Sequence, residues 1–511
     1  MWSKPSQRAS VNGRMHEDIE LRGLEAEMAQ RRAKIAGLAA SGSEPYPYRF
    51  DRSHTLGELR AEHGTLPAGA ETEVVVTIAG RMMLRRDTGK LIFANLRDRS
   101  GDIQLFVSKS VVGADGFDAA KDLDLGDWIG ISGTIMTTKT GELSVRVASL
   151  QLLAKAIRPL PDKWHGLNDV DTRFRQRYAD LIVNDEARRV FEIRHGIIAS
   201  FRRTLADAGY IEVETPVFHI EPGGAHARPF TTHHNALNVN LYLRIALELH
   251  LKRLIVGGME RVFEIGRIFR NEGLSTRHNP EFTMMELYEA FADWTDIMAL
   301  TETLIVTAAR DTLGTTCVDI DGVAVDLGQP WRRASIYDLI HEHVGVRVHP
   351  SMHVDYLRQV CDENGVKWAA HMGAGKLCFE LYELAEKHLV APTFVTQHPV
   401  EVSPLARVHR DDPYVTERFE LVVAGRELAN GYSELNDPDI QRLRFDEEQV
   451  AKLAGDAEAG SVDEDYLRAL EYGMPPTGGL GVGMDRLTML IAGVASIREV
   501  ILFPTLRPET F

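Results

Sequence analysis

Residues 269–294 read FRNEGLSTRHNPEFTMMELYEAFADW. Arginines, a histidine and several glutamates stand on either side of a Gly-Ser-Thr-Asn-Pro turn, with apolar residues pressed against both flanks. The preceding ERVFEIGRIFRNE, 260–272, is β-branched and aromatic as a strand is, and EFTMMELYEAFA, 281–292, can return beside it. Side chains alternate between the faces of a strand, so Arg270 and Glu272 share one face and Phe282, Glu286 and Tyr288 share one face of the return. An arginine, a phenyl ring, two carboxylates and a phenol make a poor core but a good floor for a polar aromatic ligand. Arg277 and His278, in the turn, are placed to fold over the anionic end of such a ligand. The bland alternative is a solvated hairpin with exposed ion pairs, which stabilise little.

Two further segments weigh against that alternative. FELVVAGRELANGYSELNDP, 419–438, sets Glu420, Glu427, Asn430 and Glu434 near the end of a strand and the turn after it. Carboxylates that close repel one another unless a cation joins them. A divalent ion with oxygen ligands suits Glu420 and Glu427, and an ammonium group suits Glu434. TGGLGVGMDRLTMLIAG, 477–493, reads as a Gly-rich turn before a helix, with Arg486 in the first helical turn, an arrangement that favours phosphate. It is neither GxxxxGK[ST] nor GxGxxG, so neither common nucleotide-binding loop is indicated.

At 511 residues, with 44% hydrophobic and 26% charged residues, the chain has the length and composition of a soluble globular protein of two to four domains. No apolar run approaches the ~18 residues of a membrane span, and the polar N-terminus lacks the pattern of a signal peptide. Cys317, Cys361 and Cys378 have no CxxC spacing, which points to reduced thiols and a cytoplasmic location. The net charge of −16 argues only mildly against a nucleic-acid partner, since charge acts locally. Arg81, Arg85, Arg86, Lys90, Arg97, Arg99 and Lys109 give residues 81–109 a basic excess.

Around these segments the chain divides by pattern. Leu21, Leu24, Met28, Ile35 and Leu38 fall at helical spacing over 17–40, with Arg31, Arg32 and Lys34 as a solvated basic side or a nucleic-acid contact. EVVVTIAGRMM, KLIFANLRD, GDIQLFVSK, DWIGISGTIMTT and ELSVRVASLQLL then give five short strands separated by turn signals, as in a small closed barrel of the oligonucleotide-binding (OB) type. Such barrels read single-stranded bases by stacking and by hydrogen bonds from strand side chains, and Phe93, Gln104 and Glu142 are the candidates. Phe93 taken alone reads as core. The expected domains are a helical extension over 1–72, the barrel over 73–157, a charged bridge over 158–183 and a larger domain over 184–511. Within the last, a helix is expected at about 184–208, a strand in YIEVETPVF (210–218), and a mostly helical insertion at about 330–395.

Together the segments resemble the signature motifs of class II aminoacyl-tRNA synthetases. GYIEVETPVF is similar to motif 1, which in the family builds the dimer interface; FRNEGLSTRHNPEF is similar to motif 2 and GGLGVGMDRL to motif 3. An N-terminal barrel marks the subclass that charges Lys, Asp and Asn. GGAHARPFTTHHNAL (223–237), ELHLKRLIVGGMERVFEIGR (248–267), SPLAR (403–407), ELANGYSELNDP (427–438) and MPPTGGLGVGMDRL (474–487) are similar to the lysyl-tRNA synthetase family, from about residue 17 to the C-terminus.

The resemblance implies an α+β protein: an OB-type barrel joined to a catalytic domain built on an antiparallel sheet flanked by helices. It implies ATP-dependent activation of L-lysine, transfer to the 3′ end of tRNA(Lys), Mg²⁺ as cofactor and a homodimer. Arg270 and Arg486 are then the catalytic cations. Arg270, Glu272, Arg277, His278, Phe282, Glu420 and Arg486 bind ATP, while Glu420 and Glu427 hold Mg²⁺. Lysine is met by Gly224, Glu248, Arg270, Glu286, Tyr288, Asn430 and Glu434, and the anticodon by Phe93, Gln104 and Glu142. Relatives that load lysine onto a protein lysine resemble the catalytic domain alone, so the barrel speaks against that reading. A silent scaffold predicts losses among Arg270, Glu420, Glu427 or Arg486, and all four are present.

Overall fold

The computed structural model describes residues 8–42, 44–161, 167, 169–320, 322–328, 330–453 and 460–508; for 8–22 and 451 only the backbone course is described. The chain forms two compact units, Met1–Asn168 and Asp169–Phe511.

In the first unit a helix runs Arg8–Ala40 and stops where Gly42 takes a φ of 81°. It begins earlier than the apolar spacing predicted, and the side chain of Leu21 lies outside the described residues. Arg31 and Lys34 of this helix face inward, while Arg32 is exposed. Arg31 is buried, donates from Nη1 to the carbonyl of Ala156 at 2.7 Å and pairs with Glu27; Lys34 meets Asp124 at 2.8 Å. Two of the three cations predicted to be solvated or to contact nucleic acid instead fasten the helix to its own unit.

The five expected strands all form: β1 (Glu71–Thr88), β2 (Leu91–Asp98), β3 (Gly101–Ser108), β4 (Trp128–Thr137) and β5 (Leu143–Ala154). They close into a barrel in the order β1-β2-β3-β5-β4, with the helix Lys109–Asp122 between β3 and β4. Strict alternation along β2 sends Ile92, Ala94 and Leu96 inward and leaves Phe93, Asn95 and Arg97 on the outer face. Phe93 is therefore not core.

Residues 162–166 and 168 of the expected bridge lie outside the described residues. Its later part forms two short helices, Val170–Arg175 and Arg177–Val183, that belong to the second unit. Arg177 is buried there, bound to Asp180 at 2.8 Å and to the carbonyl of Arg498 at 2.7 Å.

The second unit is built on eight strands: β6 (Ile211–Glu212), β7 (Arg261–Phe269), β8 (Glu281–Ala290), β9 (Arg332–Ser335), β10 (Thr393–Thr396), β11 (Arg418–Val423), β12 (Arg426–Ser433) and β13 (Thr477–Gly483). Their order in the sheet is β9-β10-β11-β12-β13-β8-β7-β6. The interior is antiparallel as expected, but the outermost pairs β9–β10 and β6–β7 are parallel. Three helices, Ile336–Val344, Val354–Glu363 and Ala374–Glu386, connect β9 to β10 and have their own core around Leu339, Leu357 and Leu381.

The main core lies between the sheet and the helices Asp185–Asp207 and Trp294–Leu313, with Phe201, Leu287, Ile305 and Val482 fully or nearly fully buried. The segment 210–218 is less regular than its β-branched content predicted. Only Ile211–Glu212 and Phe218–His219 are strand, because Thr215 turns aside to bind Glu264 through its amide (3.0 Å) and hydroxyl (2.7 Å), just before Pro216. The Gly-rich 477–483 is a central strand rather than a turn.

Candidate active site

The site is made by three adjacent strands. Register places Tyr288, Gly479 and Tyr432 in one row across β8, β13 and β12, and Glu286, Gly481 and Asn430 in the next. The glycine in the middle of each row lowers the floor. A Cβ at Gly479 would collide with Glu434 Oε1 and the ring of Tyr288, and one at Gly481 would come within 3.2 Å of Met284 Cε. Glycines in a sheet interior weaken the strand, so their use here has to be compensated by what the lowered floor admits. Above it opens a cavity of about 400 Å³.

One end of the cavity is carboxylate-lined. Glu248, the first residue of the helix Glu248–Val256, accepts from the Tyr432 hydroxyl through Oε1 at 2.8 Å. Glu286 accepts the Leu247 amide (3.1 Å) and the Tyr288 hydroxyl (3.3 Å), which uses both its oxygens. Burial, with Glu248 adding to it, pushes the Glu286 carboxyl up to about 7. Glu434 is 1% exposed; Oε2 pairs with the Lys252 ammonium, while Oε1 has no donor among the described residues. Gly224, with a φ of 87°, approaches this end so closely that a Cβ would stand 3.3 Å from Glu248 Cβ.

The other end carries the cations. Arg270 lies with its guanidinium carbon 5.2 Å from the centre of the Phe282 ring and donates from Nε to the carbonyl of Ile245 at 3.3 Å. Burial lowers its pKa from the usual range, an effect opposed by Glu272, Glu427 and Glu286. Arg486, in the first turn of the helix Met484–Ala492, reaches Glu427 Oε2 at 3.2 Å and His278 Nε2 at 3.3 Å. Glu272, Arg277 and Phe282 complete this wall. Desolvation and the adjacent Arg486 lower the His278 pKa below the usual imidazole range.

Glu420 is the exception among the residues expected to bind ATP, lysine or metal, because it does not line the cavity. Arg418 does so in its place. That guanidinium joins Asn430 Oδ1 (2.9 Å) to Glu420 Oε1 (2.6 Å), across the β11–β12 pair in which Glu420 and Asn430 are opposite. Burial pushes the Glu420 carboxyl up to about 7, with Arg418 opposing and Glu427 and Glu386 adding to the rise. Glu427 and Glu386 thus add negative charge beside a buried carboxyl whose one close cation, among the described residues, is the Arg418 guanidinium. Among the described residues no group of three or more His, Cys, Asp or Glu is arranged to hold a metal by itself.

The model of class II tRNA synthetases (D, K and N) matches residues 169–507, the whole of the sheet and its cavity. The chain belongs to this family. A second match, to an OB-fold nucleic acid binding domain, covers residues 76–153, so the barrel is the family's OB domain. The lysine–tRNA ligase of Halalkalibacterium halodurans is 51% identical over 497 residues, which cover 96% of this chain and 98% of the relative. The lysine–tRNA ligase of Bacillus subtilis is 51% identical over 487 residues (95% and 98%). That of Xanthomonas oryzae pv. oryzae is 52% identical over 492 residues (94% and 96%).

On the synthetase's barrel, Phe93 and Phe106 meet edge to face at 5.5 Å, with the Arg86 guanidinium 5.8 Å from the Phe93 ring centre. Gln104 Oε1 accepts from Ser144 Oγ at 2.9 Å, and its amide protons have no acceptor among the described residues. Glu142 is exposed and paired with Arg60 at 3.3 Å. Three cavity-side residues were missed by sequence reasoning. Tyr432 alternates with Asn430 and Glu434, Arg418 alternates with Glu420, and Lys252 stands one helical turn after Glu248. Each signal was present as a period of two or four.

Proposed function

We propose that the cavity holds L-lysine at its carboxylate end and ATP at its arginine end. The chain activates lysine with ATP and charges tRNA(Lys). The observation that carries the placement is Glu434 Oε1, a buried carboxylate oxygen with no donor among the described residues, beside the glycine-lowered floor. An ammonium group satisfies it, and the neighbouring phenol ring of Tyr288 adds cation–π attraction.

In this reading Glu434 and Tyr288 take the ε-ammonium, with Glu286 fixing Tyr288 from behind. Glu248 and the backbone at Gly224 take the α-ammonium, and Asn430 and Arg270 orient the carboxylate. Glu272 meets the adenine amino group, and Phe282 stacks on the ring. Arg277, His278 and Arg486 hold the distal phosphates. A lysine carboxylate oxygen forms a bond to the α-phosphorus while the bond from that phosphorus to the bridging oxygen of the β-phosphate breaks, and pyrophosphate leaves. Anion attacks anion, so Arg270 and Arg486 act by charge neutralisation and alignment, and no general base is required. A tRNA ribose hydroxyl then displaces AMP.

The carboxylates of Glu427 and Glu420 fit Mg²⁺, which binds through one or two carboxylates together with phosphate oxygens and water. The bound ion would neutralise phosphate charge. Burial and the Arg418 pair support a reading in which Glu427 is the more accessible ligand and Glu420 lies behind it.

A homodimer in the cytoplasm completes the proposal. Ile211, Phe218 and Ile220, 52%, 56% and 75% exposed in and beside the motif 1 segment, supply an apolar surface for a second copy. In the described residues no helix is long and apolar enough to cross a membrane.

ATP–pyrophosphate exchange, with Mg²⁺ and one amino acid at a time, tests the reading without tRNA. Exchange with lysine alone is expected; exchange with an amino acid lacking a side-chain cation would remove Glu434 from the specificity pocket. Phe93→Ala is expected to raise the KM for tRNA by roughly tenfold or more, the worth of one stacked base, while exchange is unchanged. Equal losses in both assays would refute a separate anticodon-reading role for the barrel.

A further inference from the structure

Lys252 is fully buried beside the carboxylate end of the cavity, where its ammonium would ordinarily be an expense. It lies 2.5 Å from Glu248 Oε1 and pairs also with Glu434 Oε2. The rings of Tyr432, Tyr288 and Tyr466 surround it at 5.5, 5.9 and 6.0 Å. One ammonium thus ties one oxygen of each of two carboxylates and leaves the second oxygen of each without a protein donor among the described residues. Those are the two carboxylates assigned above to the two ammonium groups of lysine.

The geometry points to Lys252 as a specificity-determining positioning residue: by bridging Glu248 to Glu434 it sets the spacing between the acceptors of the α- and ε-ammonium groups, and so the length of diamino acid accepted. This inference rests on the placement of lysine proposed above. Lysine and its shorter homologue ornithine carry the same charges and differ by one methylene, which changes the separation of the two nitrogens. Hydrophobic contact alone discriminates a methylene by only ~10–200-fold, so fixed acceptors add selectivity that packing does not supply.

The charges support the arrangement. Burial opposes the Lys252 ammonium, but Glu248 and Glu434 outweigh it and raise its pKa. Burial raises the Glu434 pKa, Lys252 is the cation that lowers it, and Glu248 and Glu286 raise it further. The other groups facing the pair are the phenols of Tyr288, Tyr432 and Tyr466, all held protonated by burial.

The test is ATP–pyrophosphate exchange with lysine and with ornithine, across pH 6 to 9, on Lys252→Met, with Glu248→Gln and Glu434→Gln in parallel. Lys252→Met is expected to lower the lysine-to-ornithine ratio of kcat/KM by about tenfold and to leave the KM for ATP unchanged. Its kcat/KM for lysine should rise with pH over a more alkaline range than the parent's, because Glu434 without its cation holds its proton more tightly. An unchanged ratio in a folded Lys252→Met protein overturns the inference, as does an equal loss of lysine and ATP affinity, which marks a structural role. If Glu248→Gln and Glu434→Gln both leave the lysine KM unchanged, the underlying placement is at fault instead. Lys252→Gln, which keeps a donor of similar reach, is read by the same ratio should Lys252→Met fail to fold.

Discussion

Arg270→Ala is expected to lower kcat for lysine-dependent ATP–pyrophosphate exchange by roughly 10²–10³-fold or more, the scale for removing one transition-state donor. The Arg270 guanidinium is committed to the protein through a single 3.3 Å hydrogen bond from Nε to the carbonyl of Ile245, and its two Nη nitrogens have no acceptor among the described residues. Burial disfavours its charge and Glu272, Glu427 and Glu286 favour it, yet among the described residues no carboxylate comes within ion-pair distance of it. A desolvated cation with two open donors is poised for an anion that arrives with the substrates, and in the proposed function it serves an α-phosphate and an attacking carboxylate at once. Arg270→Lys should recover little, because a point charge does not replace two parallel donors.

The folded state should tolerate Arg270→Ala. Removing a guanidinium that is desolvated and unpaired takes away a cost along with the packing on Phe282, so the Tm should move little. Pre-steady-state formation of the adenylate separates binding from chemistry. If the burst rate stays within about tenfold of the parent, Arg270 orients substrate without stabilising the transition state.

Much of this site was legible in the sequence, and the reason is periodicity. Phe282, Glu286 and Tyr288 fall two or four residues apart on β8, so a single assumption of extended backbone puts them on one face. The same assumption recovers Asn430 and Glu434 on β12, and would have recovered Tyr432 between them. What periodicity cannot show is which neighbouring strand lies alongside. The segment 477–483 therefore read as a turn: nothing local distinguishes a Gly-rich loop from a strand whose side-chain space is filled by Tyr288, Ile297 and Met284 from other elements. Arg31 and Lys34 were misjudged for the same reason. Apart from Glu27, one turn before Arg31, their acceptors are Ala156, Leu125, Asp122 and Asp124, roughly a hundred residues away along the chain. Glu420 was expected to face the ligand because its chemistry is suitable, but Arg418 two residues earlier on the same face takes its carboxylate first.

Glu434→Gln is expected to raise the KM for lysine by ~10²–10³-fold and leave the KM for ATP near its parent value. Glutamine has the shape of glutamate, so the backbone and the Gly479 contact are retained while the charge is lost. Breaking a buried, hydrogen-bonded charge pair on one side costs ~3–5 kcal/mol, and the loss falls on whichever ammonium is left without its partner. In the proposed placement two ammonium groups compete for Glu434: that of Lys252, which keeps Glu248 at 2.5 Å, and the ε-ammonium of the substrate, which loses the carboxylate assigned to it. The penalty therefore belongs mainly to lysine binding, and a smaller one appears as a lowered Tm from the half-paired Lys252. Steady-state exchange with varied lysine and varied ATP measures the first, and thermal unfolding the second. A variant whose lysine KM is unchanged while its Tm falls would mean that Glu434 exists for Lys252 alone, and that the substrate ammonium lies elsewhere in the cavity. Equal increases in both KM values would mean that the two ends of the cavity are coupled through the floor at Gly479 and Gly481, with neither end carrying specificity by itself.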